Sequence, residues 1–304
     1  MQSRRLGSTD IVASRLGFGA ARIARLETPN VAGADVDGAT REGAVELVNA
    51  LLDRGVNFID TAAGYGDSEE VLGVALVGRR SECWIATKAP NSRANFGLDW
   101  SEESVARSID ESLRRLRTDR VDLIQLHSCT SDVLREGGAI RALLKAKDAS
   151  KTRYIGYSGD GEQALNAIAT GAFDVLQTSF NIVDQRALED VIPAARDAGM
   201  GIVAKRPVAN AALAWESSPY RYADEYWRRG RLLSPPPGSP SDPIELALRF
   251  TLSFDEIDVA IVGTRSLDHA LANLEIAEKG PLEGELVAAL RDQFARFGGD
   301  WRQI

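Results

Sequence analysis

The chain has 304 residues, of which 44% are apolar and 26% charged, with a formal net charge of −8. This length suits one large domain, and the acidic balance argues against nucleic acid or an anionic membrane surface as the main partner. No apolar run approaches the ~20 residues that cross a bilayer, and the first residues lack the apolar core of a secretory signal. The two cysteines have no metal-ligand spacing, so we expect a soluble, cytoplasmic protein without a metal site.

Short apolar runs alternate with amphipathic helical runs along the chain. The first stretch, 4–12, turns at Gly7-Ser8-Thr9 and predicts a short hairpin. The main strands are predicted to begin near residues 14, 56, 83, 121, 154, 175, 201 and 259. Helices are predicted over 41–54, 68–77, 101–116, 132–149 with an interruption at Gly137-Gly138, 162–170, 186–198, 244–254, 266–277 and 283–297.

The strand runs are apolar without clean alternation, which is typical of strands covered on both faces. Eight such βα units predict a closed (β/α)8 TIM barrel, an α/β fold, with an N-terminal hairpin and an extra C-terminal helix. We expect a single domain over 1–304. The alternative is an open doubly wound sheet, but Gly17-Phe18-Gly19 does not complete the phosphate-binding G-x-G-x-x-G that such a sheet would need.

The segment 210–242 interrupts the alternation after the seventh strand and is rich in aromatic residues and proline. Long loops at this end of a barrel border the active site. We therefore expect a lid or pocket wall there, assisted by Trp100 and the C-terminal segment. The alternative is a surface excursion with a small cluster of its own.

Four polar residues lie at or just after the ends of successive predicted strands. Asp60 ends the second strand, Tyr65 follows in the next loop, Lys88 ends the third strand and His127 ends the fourth. Strand ends of a barrel converge on one face, so these side chains are predicted to meet there. Each residue alone has an ordinary explanation in capping, packing or solvation, and only the combination indicates a site.

These residue types suit the reduction of a carbonyl group. A tyrosine hydroxyl can donate the proton that the developing alkoxide needs, but its pKa of about 10 is high for this task. A neighbouring lysine ammonium stabilises the phenolate and lowers that pKa. We expect Asp60 to hold Lys88, and a neutral His127 to donate a second hydrogen bond to the carbonyl oxygen.

The segment 58–69, FIDTAAGYGDSE, closely resembles the hallmark of the aldo-keto reductases, and Lys88 and His127 match the family's other two catalytic positions in order. The resemblance extends over about residues 6–273. It implies a (β/α)8 barrel, NADP(H) as the cofactor and a small carbonyl or alcohol as the substrate. Tyr65 would then be the general acid of an oxidoreductase working in either direction.

The resemblance also implies a site for the nicotinamide. Ser158 and Gln177 resemble the residues that contact its carboxamide, although Gly159 stands where an asparagine is common. Many relatives carry an aromatic residue where this chain has Lys205, which is followed by Arg206. We expect these two cations to contact the cofactor's phosphates, with Phe180 or a loop aromatic covering the ring.

The segment 261–266, IVGTRS, resembles the loop that binds the adenosine phosphate, and it leads into a helix whose N–H groups favour an anion. Arg265 can bind a 2′-phosphate as a fork, which favours NADP(H). Some relatives carry lysine and arginine where this chain has Gly263 and His269, which argues in the other direction. The residues expected to bind this half of the cofactor are Gly263, Thr264, Arg265, His269 and Asn273.

Two alternative functions share this fold. One is a non-catalytic nucleotide-sensing subunit, which would keep the cofactor site and act through a partner surface. The other is a sugar or alcohol dehydrogenase that uses NAD. The sequence carries no prediction of the oligomeric state.

Overall fold

Eight parallel strands close into a barrel in the computed structural model, which describes residues 1–24, 40–91 and 99–303. The hairpin strands are β1 (Ser3–Arg5) and β2 (Val12–Ser14), and the barrel strands are β3 (Leu16–Gly19), β4 (Phe58–Asp60), β5 (Trp84–Ala89), β6 (Val121–His127), β7 (Thr152–Ser158), β8 (Val175–Ser179), β9 (Gly201–Lys205) and β10 (Val259–Val262). Neighbours in chain order pair in parallel, and β10 pairs with β3 to close the ring. The predicted (β/α)8 barrel is confirmed, and the open sheet is wrong.

Helices pack around the barrel and cover the outer face of its strands. They are α1 (Arg41–Asp53), α2 (Ser68–Ala75), α3 (Glu102–Leu116), α4 (Ser131–Glu136), α5 (Gly138–Asp148), α6 (Gly161–Ala169), α7 (Val191–Asp197), α8 (Asp224–Gly230), α9 (Pro243–Leu252), α10 (Leu267–Glu278) and α11 (Gly284–Phe297). The last of these is the predicted extra helix. Within the described ranges, no helix is both long enough and apolar enough to cross a membrane.

Helix α3 shows how the local sequence sets its boundaries. The Ser101 hydroxyl accepts a hydrogen bond from the Ser104 N–H at 3.3 Å and caps the first turn. Val105 and Ile109 lie one turn apart on the inner face and are buried, as helical periodicity requires. The helix ends at Arg117, which takes the left-handed conformation with φ 53° and donates back to the last turn.

The structure differs from the predicted elements at three places. In the run predicted as one helix over 186–198, residues Arg186–Leu188 form a short 3-10 helix. Helix α7 begins at Val191, where the Asp190 carboxylate accepts from the Val191 N–H at 2.6 Å. The segment 210–242 contains a helix of its own, α8. Ser14 belongs to the hairpin rather than to the first barrel strand.

The hairpin closes the N-terminal end of the barrel. Leu6 and Ile11 are fully buried and share an apolar cluster with Phe58 and other residues that face the barrel interior. The approach is close, because a Cβ added at Gly7 would lie 2.2 Å from the backbone nitrogen of Gly201, the first residue of β9. The opposite end, where the strands finish, is called the mouth below.

Candidate active site

The Asp60–Lys88 ion pair forms the centre of the candidate site. The Lys88 Nζ donates to the two carboxylate oxygens of Asp60 at 2.8 and 2.6 Å and to the Thr61 carbonyl at 2.8 Å. Lys88 is 0% exposed and Asp60 2%. Burial lowers the pKa of Lys88, but the Asp60 carboxylate and the Tyr65 phenol outweigh it and raise that pKa above its ordinary value. Lys88 is therefore an ammonium at neutral pH.

Tyr65 lies beside this ammonium, in the loop between β4 and α2. Its backbone N–H donates to the Ala62 carbonyl at 2.9 Å, and its own carbonyl accepts from the Ser68 N–H at 2.9 Å, so the loop is tightly turned. The centroid of the Tyr65 ring is 5.0 Å from the Lys88 Nζ and 5.7 Å from that of the His127 ring, which it meets edge to face. The structure thus brings the four predicted catalytic residues together at the mouth.

His127 ends β6 and is half-buried. Burial, together with the nearby Lys88 and Lys205 ammonium groups, lowers the pKa of His127 to about 3. The imidazole is therefore neutral near pH 7, with one ring N–H and one acceptor nitrogen. Such a ring can donate a hydrogen bond to a carbonyl oxygen without adding a third positive charge.

Two glutamines also bond to the Asp60 carboxylate. The Nε2 of Gln177 donates to Asp60 Oδ1 at 2.8 Å and that of Gln125 at 3.4 Å. Sequence reasoning missed Gln125, although a signal was present: it is a polar residue inside an apolar strand, two positions before His127 and so on the same face. These donors, with Lys88, fix the orientation of the Asp60 carboxylate.

Ser158 and Gln177, the predicted carboxamide contacts, are joined to each other. The Ser158 hydroxyl donates to the Oε1 of Gln177 at 3.1 Å, and both residues are 2% exposed. Through Gln177 this pair is linked to Asp60. A continuous hydrogen-bonded chain therefore runs from the end of β7 to the ion pair.

Lys205 and Arg206 follow at the end of β9. The Lys205 Nζ donates to Asp160 Oδ2 at 2.7 Å, and an Arg206 Nη donates to the Ser179 hydroxyl at 3.0 Å. The Arg206 guanidinium also lies 4.8 Å from the ring centroid of Tyr222. Sequence reasoning missed Asp160, because its partner Lys205 is 45 residues away in the chain and no motif connects the two.

The expectation that Phe180 covers the nicotinamide is wrong. Its ring is 0% exposed and packs against Phe250 and Phe254, with centroids 6.1 and 5.0 Å away. No face of Phe180 is left for a ligand. Tyr222, which is 53% exposed beside Arg206, is an aromatic residue that a ligand can reach.

Two of the predicted wall residues occupy different environments. Trp100 is half-buried against the core between barrel and helices. Trp215 is 55% exposed, and its carbonyl accepts from the indole N–H of Trp227 on α8 at 3.2 Å. The aromatic segment after β9 is therefore tied together by its own contacts.

The predicted adenosine loop connects β10 with the start of α10. The Ser266 hydroxyl caps this helix by accepting from the His269 N–H at 3.3 Å, while Arg265 is exposed. A Cβ added at Gly263 would lie 2.7 Å from the Gly19 carbonyl oxygen, so this backbone has room for glycine and none for the lysine that some aldo-keto reductases carry at this position. Asn273, 9% exposed, lies on the inner face of the helix.

Comparisons with known proteins find similar sequences and a similar fold. The model of the aldo/keto reductase family matches residues 15–293. An L-galactose dehydrogenase from Arabidopsis thaliana is 30% identical, over 90% of this chain and 87% of that protein. An NADH-specific methylglyoxal reductase from Escherichia coli is 28% identical, over 68% of each chain. The holo structure of an aldo-keto reductase from Bacillus halodurans superposes with a TM-score of 0.81, at 28% identity over 96% of both chains.

Proposed function

The chain belongs to the aldo/keto reductase family, and from that premise we propose that it interconverts a carbonyl and an alcohol with NADP(H), using Tyr65 as the general acid. The observation that carries the proposal is the position of the Tyr65 ring, 5.0 Å from a fully buried lysine ammonium and 5.7 Å from a neutral imidazole. A phenol with these neighbours is suited to general acid catalysis, because the ammonium stabilises the phenolate that proton transfer leaves.

The residues around the mouth fit a dinucleotide. Ser158 and Gln177 offer the donor and acceptor atoms that a carboxamide requires. The capped N-terminus of α10, with Arg265 beside it, offers backbone N–H groups and a guanidinium fork to a phosphate. Bound NADP(H) would supply the hydride to the carbonyl carbon, or accept it from the alcohol.

Four side chains of this site divide the remaining work. The Tyr65 hydroxyl donates its proton to the alkoxide oxygen as the alcohol forms, and takes it back in the reverse direction. The Lys88 ammonium stabilises the resulting phenolate, and Asp60 keeps that ammonium charged and in position. The neutral His127 donates a hydrogen bond to the carbonyl oxygen and orients the substrate.

The preference for NADP(H) over NAD(H) is assigned to Arg265. A guanidinium can bind a 2′-phosphate through two parallel hydrogen bonds, and NAD(H) lacks that group. Lys205 and Arg206 add positive charge near the cofactor's phosphates. The Escherichia coli relative carries the name of an NADH-specific enzyme, so both cofactors are to be compared in the titrations below.

The test is Tyr65→Phe, which removes the hydroxyl and keeps the ring. We expect turnover of an aldehyde panel, followed by NADPH absorbance, to fall by a factor of about 10²–10⁴, the typical contribution of a general acid. Binding of NADPH, measured by fluorescence titration alongside NADH, should be unchanged and tighter than that of NADH. Tyr154→Phe is the control, since Tyr154 donates to Asp10 at the closed end of the barrel.

Two outcomes would contradict the proposal. Wild-type turnover in Tyr65→Phe would remove Tyr65 as the general acid. NADPH binding by the wild-type protein without turnover of any carbonyl in the panel would favour the nucleotide-sensing subunit instead.

A further inference from the structure

A single carboxylate, that of Asp160, joins the loop after β7 to the end of β8, to β9 and to the segment after α11. Its Oδ2 accepts from the Lys205 Nζ at 2.7 Å. Its Oδ1 accepts from the Ser179 backbone N–H at 2.7 Å, the Thr178 hydroxyl at 3.0 Å and the Gln303 Nε2 at 3.3 Å. The orientation of this carboxylate therefore depends on donors from three other parts of the chain.

The Gln303 side chain uses both ends of its amide in this cluster. Its Oε1 accepts from the Gly161 N–H at 2.8 Å, at the start of α6. Its Nε2 also donates to the Ser179 carbonyl at 2.6 Å and to the Thr178 hydroxyl at 2.8 Å. One amide thus connects the loop that carries Asp160 with the strand end beside it.

The segment that carries Gln303 is anchored separately. An Arg229 Nη donates to the Arg302 carbonyl at 2.7 Å, and the Arg229 guanidinium lies 4.8 Å from the Trp301 ring centroid. Trp301 also packs edge to face on Phe294 of α11, at 5.7 Å between centroids. Replacing the Gln303 side chain should therefore remove its amide contacts without releasing the segment.

We propose that Asp160 and Gln303 are positioning residues that hold the Lys205 ammonium in place at the mouth, an inference that rests on the proposed function of Lys205 toward the cofactor. The Lys205 side chain is only 15% exposed, and among the described residues the other charged groups that act on it are cations. Its neighbours are Arg206 on its own strand end, Lys88 on β5 and the neutral His127 on β6. A nearly buried ammonium in these surroundings requires an anion held in a fixed position.

Electrostatics agrees with this role. Burial lowers the pKa of Lys205, Arg206 and Lys88 lower it further, and Asp160 opposes them. Removing the charge of Asp160 must therefore lower that pKa more. Any part of NADPH binding that depends on the ammonium would then be lost at a lower pH than in the wild-type protein.

The experiment measures the dissociation constant of NADPH by fluorescence titration across a pH series. Asp160→Asn should weaken binding and move its alkaline loss to lower pH. Gln303→Met, similar in size but without the amide, should weaken binding in the same direction by about fivefold, the value of one ordinary hydrogen bond. Gln303→Glu should weaken it more, because it places a second carboxylate beside Asp160.

Arg302→Ala is the matched control, since the contact with Arg229 uses the backbone carbonyl of Arg302 and the side chain of Arg302 is exposed. This variant should bind NADPH like the wild-type protein. The double variant Asp160→Asn/Gln303→Met should bind no more weakly than Asp160→Asn alone, because Gln303 acts through that carboxylate.

The titrations distinguish a failure of the positioning role from a failure of the proposed function. Gln303→Met and Gln303→Glu variants that bind NADPH like Arg302→Ala at every pH, or fully additive losses in the double variant, would overturn the positioning role while the proposed function stands. A wild-type protein that binds no NADPH would instead overturn the proposed function, and this inference with it.

Discussion

The Asp60–Lys88 pair is buried, so water cannot balance the charge of either partner if the other is removed. Asp60→Asn would leave the ammonium without its counter-charge at a position that is 0% exposed. We expect the free energy of unfolding, measured in urea, to fall by about 3–5 kcal/mol, the usual cost of removing one partner of a buried pair.

The control for Asp60→Asn is a salt bridge on the protein surface. Asp132 and Arg135 on α4 are both 75% exposed, and Asp132→Asn should cost less than about 1 kcal/mol. Equal losses of unfolding free energy in the two variants would mean that burial does not explain the cost of removing the Asp60 charge.

The side chains of the site differ in how far the sequence could predict them. Asp60, Lys88 and His127 each follow an apolar strand, so the fold alone brings them to one end of the barrel. Asp160 and Gln303 are 143 residues apart, and no periodicity or motif connects them. Phe180 was misjudged because whether an aromatic ring faces the core or the mouth depends on neighbours such as Phe250 that only the fold brings near.

At the scale of helices and strands, periodicity predicted correctly that most elements exist. It was less successful in predicting the residues at which they begin. Apolar spacing placed a helix over 186–198, but one carboxylate, that of Asp190, caps the chain in the middle of that run. The interruption predicted at Gly137-Gly138 was correct, since a glycine pair weakens a helix. The sequence of 210–242 gave no sign of α8, because this helix has no regular apolar stripe. Its buried residue Tyr226 packs against parts of the chain that only the fold brings near.

The junction between α4 and α5 offers a test with two adjacent glycines. Gly137 has φ 73° and ends α4, whereas Gly138 begins α5 with an ordinary φ. Gly137→Ala should destabilise the protein by about 1–2 kcal/mol, because a Cβ is unfavourable in the left-handed region. Gly138→Ala should be neutral or stabilising by up to about 1 kcal/mol, since it reduces the freedom of the unfolded chain.

Urea unfolding of the two variants gives the comparison directly. In the folded protein, a Cβ at Gly138 meets ordinary contacts of 3.6 Å or more. If Gly137→Ala were as stable as Gly138→Ala, the left-handed turn would not be what separates α4 from α5.

At the scale of the whole molecule, eight repeats of strand and helix sufficed to predict the barrel, because few other arrangements cover both faces of eight parallel strands. The hairpin was predicted as a local turn, yet its role is global. It supplies Leu6 and Ile11 to the interior of the barrel, where they seal the closed end. The cluster joins residues that are far apart in the chain, such as Leu6 and Val259, so no local pattern could reveal it.

The two ends of the barrel should therefore be separable, one serving stability and the other chemistry. Leu6→Ala would open a cavity at a position that is 0% exposed, and we expect a loss of about 2–5 kcal/mol in the free energy of unfolding. Val12→Ala in the same hairpin, at a side chain that is 46% exposed, should change it by about 0.5 kcal/mol or less. Both variants should keep the wild-type turnover number below their melting temperatures, because the hairpin packs at the closed end of the barrel, opposite the mouth. A folded Leu6→Ala protein with impaired turnover would show that packing at the closed end also shapes the site at the other.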